Sequence, residues 1–148
     1  MKNLFFVAVV FAFALVGCSS KQVTSENLVD KEWKLVEYVD GSAYSIDVNE
    51  NIIISFRDSA MVAGNTGCNL FIGTYSLNDS KIEIESIGLT KVFCGEEKAQ
   101  MEQSYLNALS LELDAEISSN GEELILKNAE KGISIRYIKS DGIELPNM

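Results

Sequence analysis

The 148-residue chain has no histidine, one proline, and only 12 basic residues against 22 acidic ones. Without histidine, the usual general base for a serine or cysteine nucleophile is missing. A metal site needs more ligands than a pair of cysteines, so we expect no metal and no cofactor. The acidic excess disfavours a nucleic-acid groove, because neutralising phosphates requires clustered lysine and arginine.

Sequence motifs for other common chemistries are also missing. The chain contains no Gly-x-x-x-x-Gly-Lys phosphate loop and no dinucleotide fingerprint. Carboxylates are so frequent that no two of them can be singled out as a glycosidase pair. The sequence therefore predicts no catalytic residue and a non-enzymatic protein.

The N-terminal segment has the pattern of an export signal that ends in a lipidation site. Lys2 gives a positive start, and Leu4 to Val16 form an apolar run of 13 residues. This length suits a signal-peptide core and is short for a membrane-spanning helix. Leu15-Val16-Gly17-Cys18 resembles the bacterial lipobox, whose cysteine becomes lipidated and N-terminal. The alternatives are an ordinary secretory signal cut elsewhere and a buried helix.

We expect residues 1–17 to be a lipoprotein signal peptide, with a diacylglyceryl group and an acyl chain on Cys18 anchoring the protein to a membrane. Ser19 follows where some inner-membrane lipoproteins carry aspartate, so we expect the outer membrane of a bacterial envelope. Loss of Lys2 gives a mature net charge of 11 − 22 = −11. This charge favours solubility, or alternatively attraction to a basic partner.

Residues 18–31 are mostly polar and lack a sustained period, which predicts a flexible tether. Beyond Lys31 the apolar residues mostly alternate, as is typical of half-buried strands. In "KIEIESI", for example, Ile82 and Ile84 face inward and the intervening glutamates face water. Other sets that share a face are Trp33 and Leu35; Ile52, Ile54 and Phe56; Phe71, Gly73 and Tyr75; Leu124 and Leu126; Ile133, Ile135 and Tyr137.

Turn signals separate these runs. Asn78-Asp79 predicts a tight hairpin, Asn120-Gly121 predicts a type I′ turn, and Lys131-Gly132 predicts a further link between strands. The only proline, Pro146, lies beyond the last run, so it interrupts no strand.

One segment, "GEEKAQMEQSYLNALSLE", has a helical period instead. It places Met101, Tyr105, Ala108 and Leu109 on one face. We therefore predict an α+β fold, in which a strongly curved, mainly antiparallel, barrel-like β-sheet packs with one α-helix.

Motifs on these elements resemble the META domain, whose bacterial members include HslJ-like lipoproteins. The stretch "GNTGCNLFIGTY" carries the central pattern Gly-Cys-Asn-x-Phe-x-Gly-x-Tyr, followed by Thr-x-Met-x-Cys and Glu-x-x-aromatic-Leu-x-x-Leu. The matching residues are Gly67, Cys68, Asn69, Phe71, Gly73, Tyr75, Thr90, Cys94, Glu102, Tyr105, Leu106 and Leu109. Val92 replaces the usual methionine, and Gly95 replaces a frequent proline. We take 32–140 as the META-like domain and 141–148 as a tail.

The resemblance implies a β-rich domain with one helix, commonly exported and lipid-anchored. Members have been linked to heat shock, envelope stress, antibiotic tolerance and, in a eukaryotic parasite, virulence. None of these links defines a biochemical activity.

With Cys18 taken by lipid, Cys68 and Cys94 remain as an even pair in an oxidising compartment. We expect a disulfide that joins the strand to the start of the helix and contributes roughly 3 to 4 kcal/mol. We also expect Gly64 and Gly67 to allow a bend or a close backbone approach, and Gly73 to leave room beneath the helix. Asn69 is expected to hydrogen-bond backbone groups at the bend. The alternative is that Cys94, near a helix N-terminus, is a reactive thiol.

The sequence favours an envelope binding or interaction module, anchored through Cys18 and monomeric, with an envelope protein as its partner. Such a site is expected to expose apolar or aromatic side chains, and the candidates are Tyr44, Phe93 and Trp33, although Trp33 fits a core position better. The alternatives are a thiol-redox protein that uses Cys94 and a carrier of a small apolar ligand.

Overall fold

The alternating pattern produces a sheet of nine strands in the computed structural model, which describes residues 20–41 and 51–140. The strands are β1 (Ser20–Gln22), β2 (Glu32–Asp40), β3 (Ile53–Phe56), β4 (Met61–Asn65), β5 (Leu70–Asn78), β6 (Lys81–Leu89), β7 (Leu113–Ser118), β8 (Glu123–Asn128) and β9 (Ile133–Ser140). The helices are α1 (Ser25–Leu28), a single turn, and α2 (Glu96–Leu109). The predicted α+β class and the antiparallel sheet are confirmed.

The sheet curls until its ends meet. Its strand order is β1-β7-β6-β5-β4-β3-β2-β9-β8, and a further pairing of β7 with β8 gives a ring-like arrangement. β7 pairs with β6 only through Leu113 and Asp114. From Glu116 onward, the same edge of β7 pairs with β1 instead. Because all pairings are antiparallel, successive strands run in opposite directions between the two ends of the ring.

Helix α2 follows β6 and precedes β7, so it lies at one end of the ring, called here the α2 end. Glu96 and Glu97 occupy its first turn, where they favour the positive end of the helix dipole. Tyr105, Ala108 and Leu109 are buried against the core, as the helical period predicts. The helix therefore covers the α2 end with the face that the sequence indicated.

The opposite end, called the α1 end, is covered by residues that the sequence assigned to a tether. Val23 and Leu28 are buried in the core, and the Trp33 indole Nε1 donates to the Leu28 carbonyl at 3.3 Å. The tether prediction is wrong for residues 20–31. These few apolar side chains are too widely spaced to give a local period, yet they fill the open end of the ring.

The inward faces of the strands pack together in the interior of the ring. Each alternating set named above is buried or packs against the core, and Trp33 has no exposed surface. Trp33 is therefore a core residue and drops out of the candidate partner sites. A β-bulge between Leu35 and Glu37 shifts the alternation in β2, so that Tyr38 points inward and Glu37 stays in water.

The hairpin turns differ in detail from their predicted positions. The β5–β6 turn is centred on Asp79 and Ser80, which both have positive φ as a type I′ turn requires, so it lies one residue later than Asn78-Asp79. In the β7–β8 turn only Gly121 has positive φ, and Asn120 does not, so type I′ is wrong there. Gly132 has positive φ directly before β9.

Two buried tyrosines make the fold sensitive to alkali. The Tyr105 and Tyr137 hydroxyls lie 2.8 Å apart, and burial is the main cause that raises the pKa of each. A raised folded-state pKa gives stability that is present below the unfolded tyrosine pKa, near 10, and is lost as pH rises above it. We expect the free energy of unfolding to fall above about pH 10, by about 1.4 kcal/mol per pH unit for each such tyrosine.

Urea unfolding at several alkaline pH values measures this slope. The double variant Tyr105→Phe/Tyr137→Phe should show a shallower decline, because neither hydroxyl remains to ionise in the unfolded chain. An unchanged slope in the double variant would show that other groups cause the alkaline loss.

Several predicted features lie outside the described residues. These are the signal peptide, Ser19 and the lipidated Cys18, Tyr44 and the tail 141–148. Within 20–41 and 51–140, no helix has the length and apolar character needed to cross a membrane.

Candidate functional site: the braced β6–α2 loop

The loop that joins β6 to α2, residues 90–95, is covalently fixed to the turn before β5. A disulfide links Cys68 in that turn to Cys94 in the loop, across 26 positions of sequence, with the Cα atoms 5.9 Å apart. Both cysteines are half-buried. The bond joins the two motifs that the sequence singled out, and Cys94 directly precedes Gly95, the N-cap residue of α2.

Asn69 fixes the same loop without a covalent bond. Its Oδ1 accepts from the Val92 backbone N–H at 2.7 Å and from the Thr90 hydroxyl at 2.8 Å. Its Nδ2 donates to the Val92 carbonyl at 3.1 Å. The Asn69 amide thus bonds both the N–H and the carbonyl of Val92, as the backbone of a neighbouring β-strand would. Asn69 bonds backbone groups as predicted, but they belong to the loop after β6 and not to its own bend.

A buried carboxylate completes the network from the helix side. Glu102, only 8% exposed, accepts from Asn69 Nδ2 at 2.9 Å and from the Thr66 hydroxyl. Thr66 is fully buried, and its Oγ1 also accepts from the Asn69 backbone N–H at 2.9 Å. Turn, loop and helix are therefore held together by one set of hydrogen bonds around Asn69.

The remaining family-motif residues support this geometry. Gly67 has a φ of +85°, which allows the bend before Cys68. Phe71 is in the core, and the Tyr75 ring packs edge-on against Phe56. A Cβ on Gly73 would lie 2.8 Å from the Glu85 carbonyl oxygen, so the space at Gly73 accommodates β6 and not the helix, contrary to the prediction.

Exposed apolar side chains are concentrated around the braced loop. Phe93 is 78% exposed and Val92 is 59% exposed. Three more large exposed apolar residues lie on the adjoining strand ends: Leu70, Ile72 and Leu89. These five, called here the apolar edge, are more than half of the eight such residues in the described part of the chain. Phe93 is thus an exposed candidate, as the sequence suggested.

A shallow groove of about 940 Å³ runs beside the apolar edge along α2. Phe93 stands in its wall, and amide and hydroxyl side chains line much of it, including Gln100, Gln103, Asn107 and Ser104. Asp40, Glu96 and Lys131 add charges of both signs. The groove offers hydrogen-bonding groups next to an apolar surface.

Tyr38, Asp40 and Ser104 form a hydrogen-bonded cluster in this groove. The Ser104 hydroxyl donates to Asp40 Oδ2 at 2.8 Å and lies 2.8 Å from the Tyr38 hydroxyl, which also donates to Asp40 at 3.3 Å. Burial is the main cause that raises the pKa of Tyr38, and the hydrogen bond to Ser104 opposes it. The Tyr38 hydroxyl therefore stays protonated and can act as a hydrogen-bond donor in this cluster.

Sequence reasoning did not assign a role to Glu102, Thr66 or the Tyr38 cluster. A signal for Glu102 existed, because it falls three and seven residues before Tyr105 and Leu109 on the buried face of α2. A carboxylate on such a face needs partners when buried. Within residues 20–41 and 51–140, no three acidic or cysteine side chains are grouped so that they would hold a metal ion.

Comparison with protein families gives a match to one family model, described as META domain, over residues 26–141. The match begins within the N-terminal segment that covers the α1 end and ends just beyond β9. No curated protein matches the chain.

Solved structures share the fold. An NMR structure of a protein from Burkholderia xenovorans superposes with a TM-score of 0.67 at 21% identity, covering 93% of this chain and 100% of the other. A crystal structure of a DUF4847 family protein from Bacteroides vulgatus ATCC 8482 gives a TM-score of 0.58 at 14% identity, covering 80% of this chain and 98% of that protein. At these identities the likeness extends to the fold alone.

Proposed function

The chain belongs to the META domain family, and from that premise we propose that it is a non-enzymatic interaction module of the bacterial cell envelope whose protein partner docks on the apolar edge. The META domain is not a known enzyme family. The observation that carries the proposal is the exposure of Val92 and Phe93 on a loop whose backbone is fixed from several sides.

Rigidity is what makes this loop suited to binding. An exposed aromatic side chain on a flexible loop normally adds little binding free energy, because ordering the loop on binding costs conformational entropy. Here the disulfide and Asn69 have already ordered the backbone at residues 90–94 during folding. A partner that covers Phe93 therefore gains apolar burial without ordering that segment.

The groove along α2 provides the polar surroundings that protein interfaces commonly have. A buried aromatic contact inside a rim of hydrogen-bonding groups is the usual arrangement. Phe93 belongs to both the apolar edge and the groove wall, and Ser104 and Asp40 lie further along the groove. Because the apolar edge and the groove form one continuous surface, a protein partner fits this surface better than a single small molecule does.

The lipid on Cys18 and the location at the outer membrane complete the proposal. They rest on the apolar run, the lipobox-like sequence and Ser19. A stress-associated role is proposed from the family resemblance. Lipidation keeps the module at the membrane surface, where an envelope partner is present at high local concentration.

The alternatives have less support in the structure. A small apolar ligand would need an apolar cavity, whereas the interior of the ring is filled by side chains such as Trp33, Phe56 and Tyr137. A thiol-redox role needs a disulfide that opens readily, and this bond lies within the Asn69 network. The cysteine variants described in the Discussion separate this role from a structural one.

Phe93→Ser is expected to weaken partner binding about 30-fold, as loss of a central aromatic contact costs roughly 2 kcal/mol. Because Phe93 is 78% exposed, its replacement should change the free energy of unfolding by less than about 0.5 kcal/mol. The partner is first captured in intact envelopes with a photoreactive phenylalanine at position 93, and the affinity of each variant is then measured with the purified partner.

Ile138→Ser is the matched control, because Ile138 is also an exposed apolar residue but lies in the part of β9 nearer the α1 end. It should leave binding unchanged. No reproducible adduct at position 93, or equal loss of binding in both variants, would refute docking on the apolar edge.

A further inference from the structure

The chain between the proposed lipid anchor and the folded domain is very short. Ser19 is the single residue between Cys18 and Ser20, where β1 begins. Two residue steps span at most about 7 Å. Because residues 20–31 belong to the fold, no tether remains to separate the domain from the bilayer.

The place where β1 begins decides which end of the ring is near the anchor. Ser20 pairs with Ser118, the last residue of β7, and Gln22 pairs with Glu116. β7 begins at Leu113, just after α2, so Ser118 lies at the α1 end. The anchor is therefore attached to the end of the ring opposite α2.

We propose that the α1 end of the domain rests on the lipid headgroups and that the apolar edge faces away from the anchoring bilayer. This inference rests on the lipid anchor in the proposed function. The headgroup layer of one leaflet is about 5 to 8 Å thick. A reach of about 7 Å holds Ser20 within or just above that layer.

The apolar edge cannot reach the same bilayer in this arrangement. β5 runs from Leu70 at the α2 end to Asn78 at the α1 end. Its eight steps correspond to about 26 Å of strand, or roughly 20 Å of height for a strand tilted in a curved sheet. Phe93 and Val92 thus lie on the aqueous side, and their exposure is not explained by insertion into the anchoring membrane.

The charges of the α1 end are compatible with a headgroup surface. Lys139 pairs with Glu122 at 3.1 Å in the β7–β8 turn region, and Arg57 lies 3.9 Å from Asp30. Lys31 Nζ donates to the Glu26 carbonyl. These basic groups offset part of the acidic charge at this end, which also carries Asp58 and Asp79 in its turns, so it suits zwitterionic headgroups better than anionic ones.

The test uses the full lipidated protein, extracted from its native membrane and placed in lipid nanodiscs that contain a gadolinium-chelating headgroup lipid. Paramagnetic relaxation of backbone amides is measured by NMR, and mass spectrometry confirms the lipid on Cys18. We expect at least about tenfold stronger relaxation at Lys21 and Asn120 than at Phe93 and Gln103, given a height difference of roughly 20 Å.

A matched control inserts about ten Gly and Ser residues between Ser19 and Ser20, which should abolish the contrast by restoring a tether. Strongest relaxation at Phe93, or equal relaxation at both ends of the uninserted protein, would overturn the orientation. An unlipidated Cys18 would overturn the anchor and the orientation together. A retained contrast with no effect of Phe93→Ser on binding would refute the docking edge and support the orientation.

Discussion

Replacing Cys68 or Cys94 with serine is expected to lower the free energy of unfolding by about 3.5 kcal/mol, the loop-entropy value for a bond that spans 26 positions. For a domain of this size, the melting temperature should fall by roughly 10 to 15 °C. The effect is large because the bond limits the unfolded chain and because a domain's total stability is only about 5 to 15 kcal/mol. Calorimetry of the oxidised protein and the variants measures it.

The comparison among the cysteine variants carries the test. The two single variants and the double variant Cys68→Ser/Cys94→Ser should be equally destabilised, because losing either sulfur removes the whole bond. Reduction of the native protein should give the same loss. A redox enzyme would differ, with a bond that opens in a mild glutathione buffer and a Cys94→Ser variant that loses activity while its stability is retained.

Asn69→Ala is expected to lower the free energy of unfolding by about 3 kcal/mol, since one amide supplies three hydrogen bonds to the loop and one to a carboxylate. Water can replace the lost hydrogen bond at Thr90, which is exposed. It can do so less well at Glu102, which is buried. The variant should also weaken partner binding, because the backbone at Val92 is no longer ordered before association. Urea unfolding and the binding assay with purified partner measure the two effects.

Asn69→Asp separates hydrogen bonding from side-chain volume. It places a second carboxylate against Glu102, whose Oε1 lies 2.9 Å from the Asn69 amide nitrogen. The two adjacent negative charges repel each other, so the free energy of unfolding of Asn69→Asp should be lower than that of the native protein at neutral pH. Urea unfolding at neutral pH measures the difference.

Asn107→Ala is the control for Asn69, because Asn107 is exposed and accepts one hydrogen bond from Gln103. It should change the free energy of unfolding by less than about 0.5 kcal/mol. If Asn69→Ala is equally mild, the loop is held by the disulfide alone, and the network around Asn69 contributes little.

The sequence by itself determined the periodic elements of this protein. Alternation in "KIEIESI" indicated a strand with Ile82 and Ile84 inward, and the spacing of Tyr105 and Leu109 indicated a helix with one buried face. These features depend on residues two to four positions apart, so a local pattern is sufficient to reveal them. The family motifs were also visible in the sequence, because they are short stretches of specific residues, although Cys68 and Cys94 lie in a turn and a loop and not on a periodic element.

Only the tertiary structure decided which distant groups meet. The pairing of β2 with β9 in the ring, the contact of Asn69 with Val92 and the burial of Glu102 each join residues far apart in sequence. Residues 20–31 show the same limit, because Val23 and Leu28 have no local period and acquire a role only where the ring leaves an open end. Burial and hydrogen bonding depend on the partners that the fold brings together, and a local sequence pattern does not contain those partners.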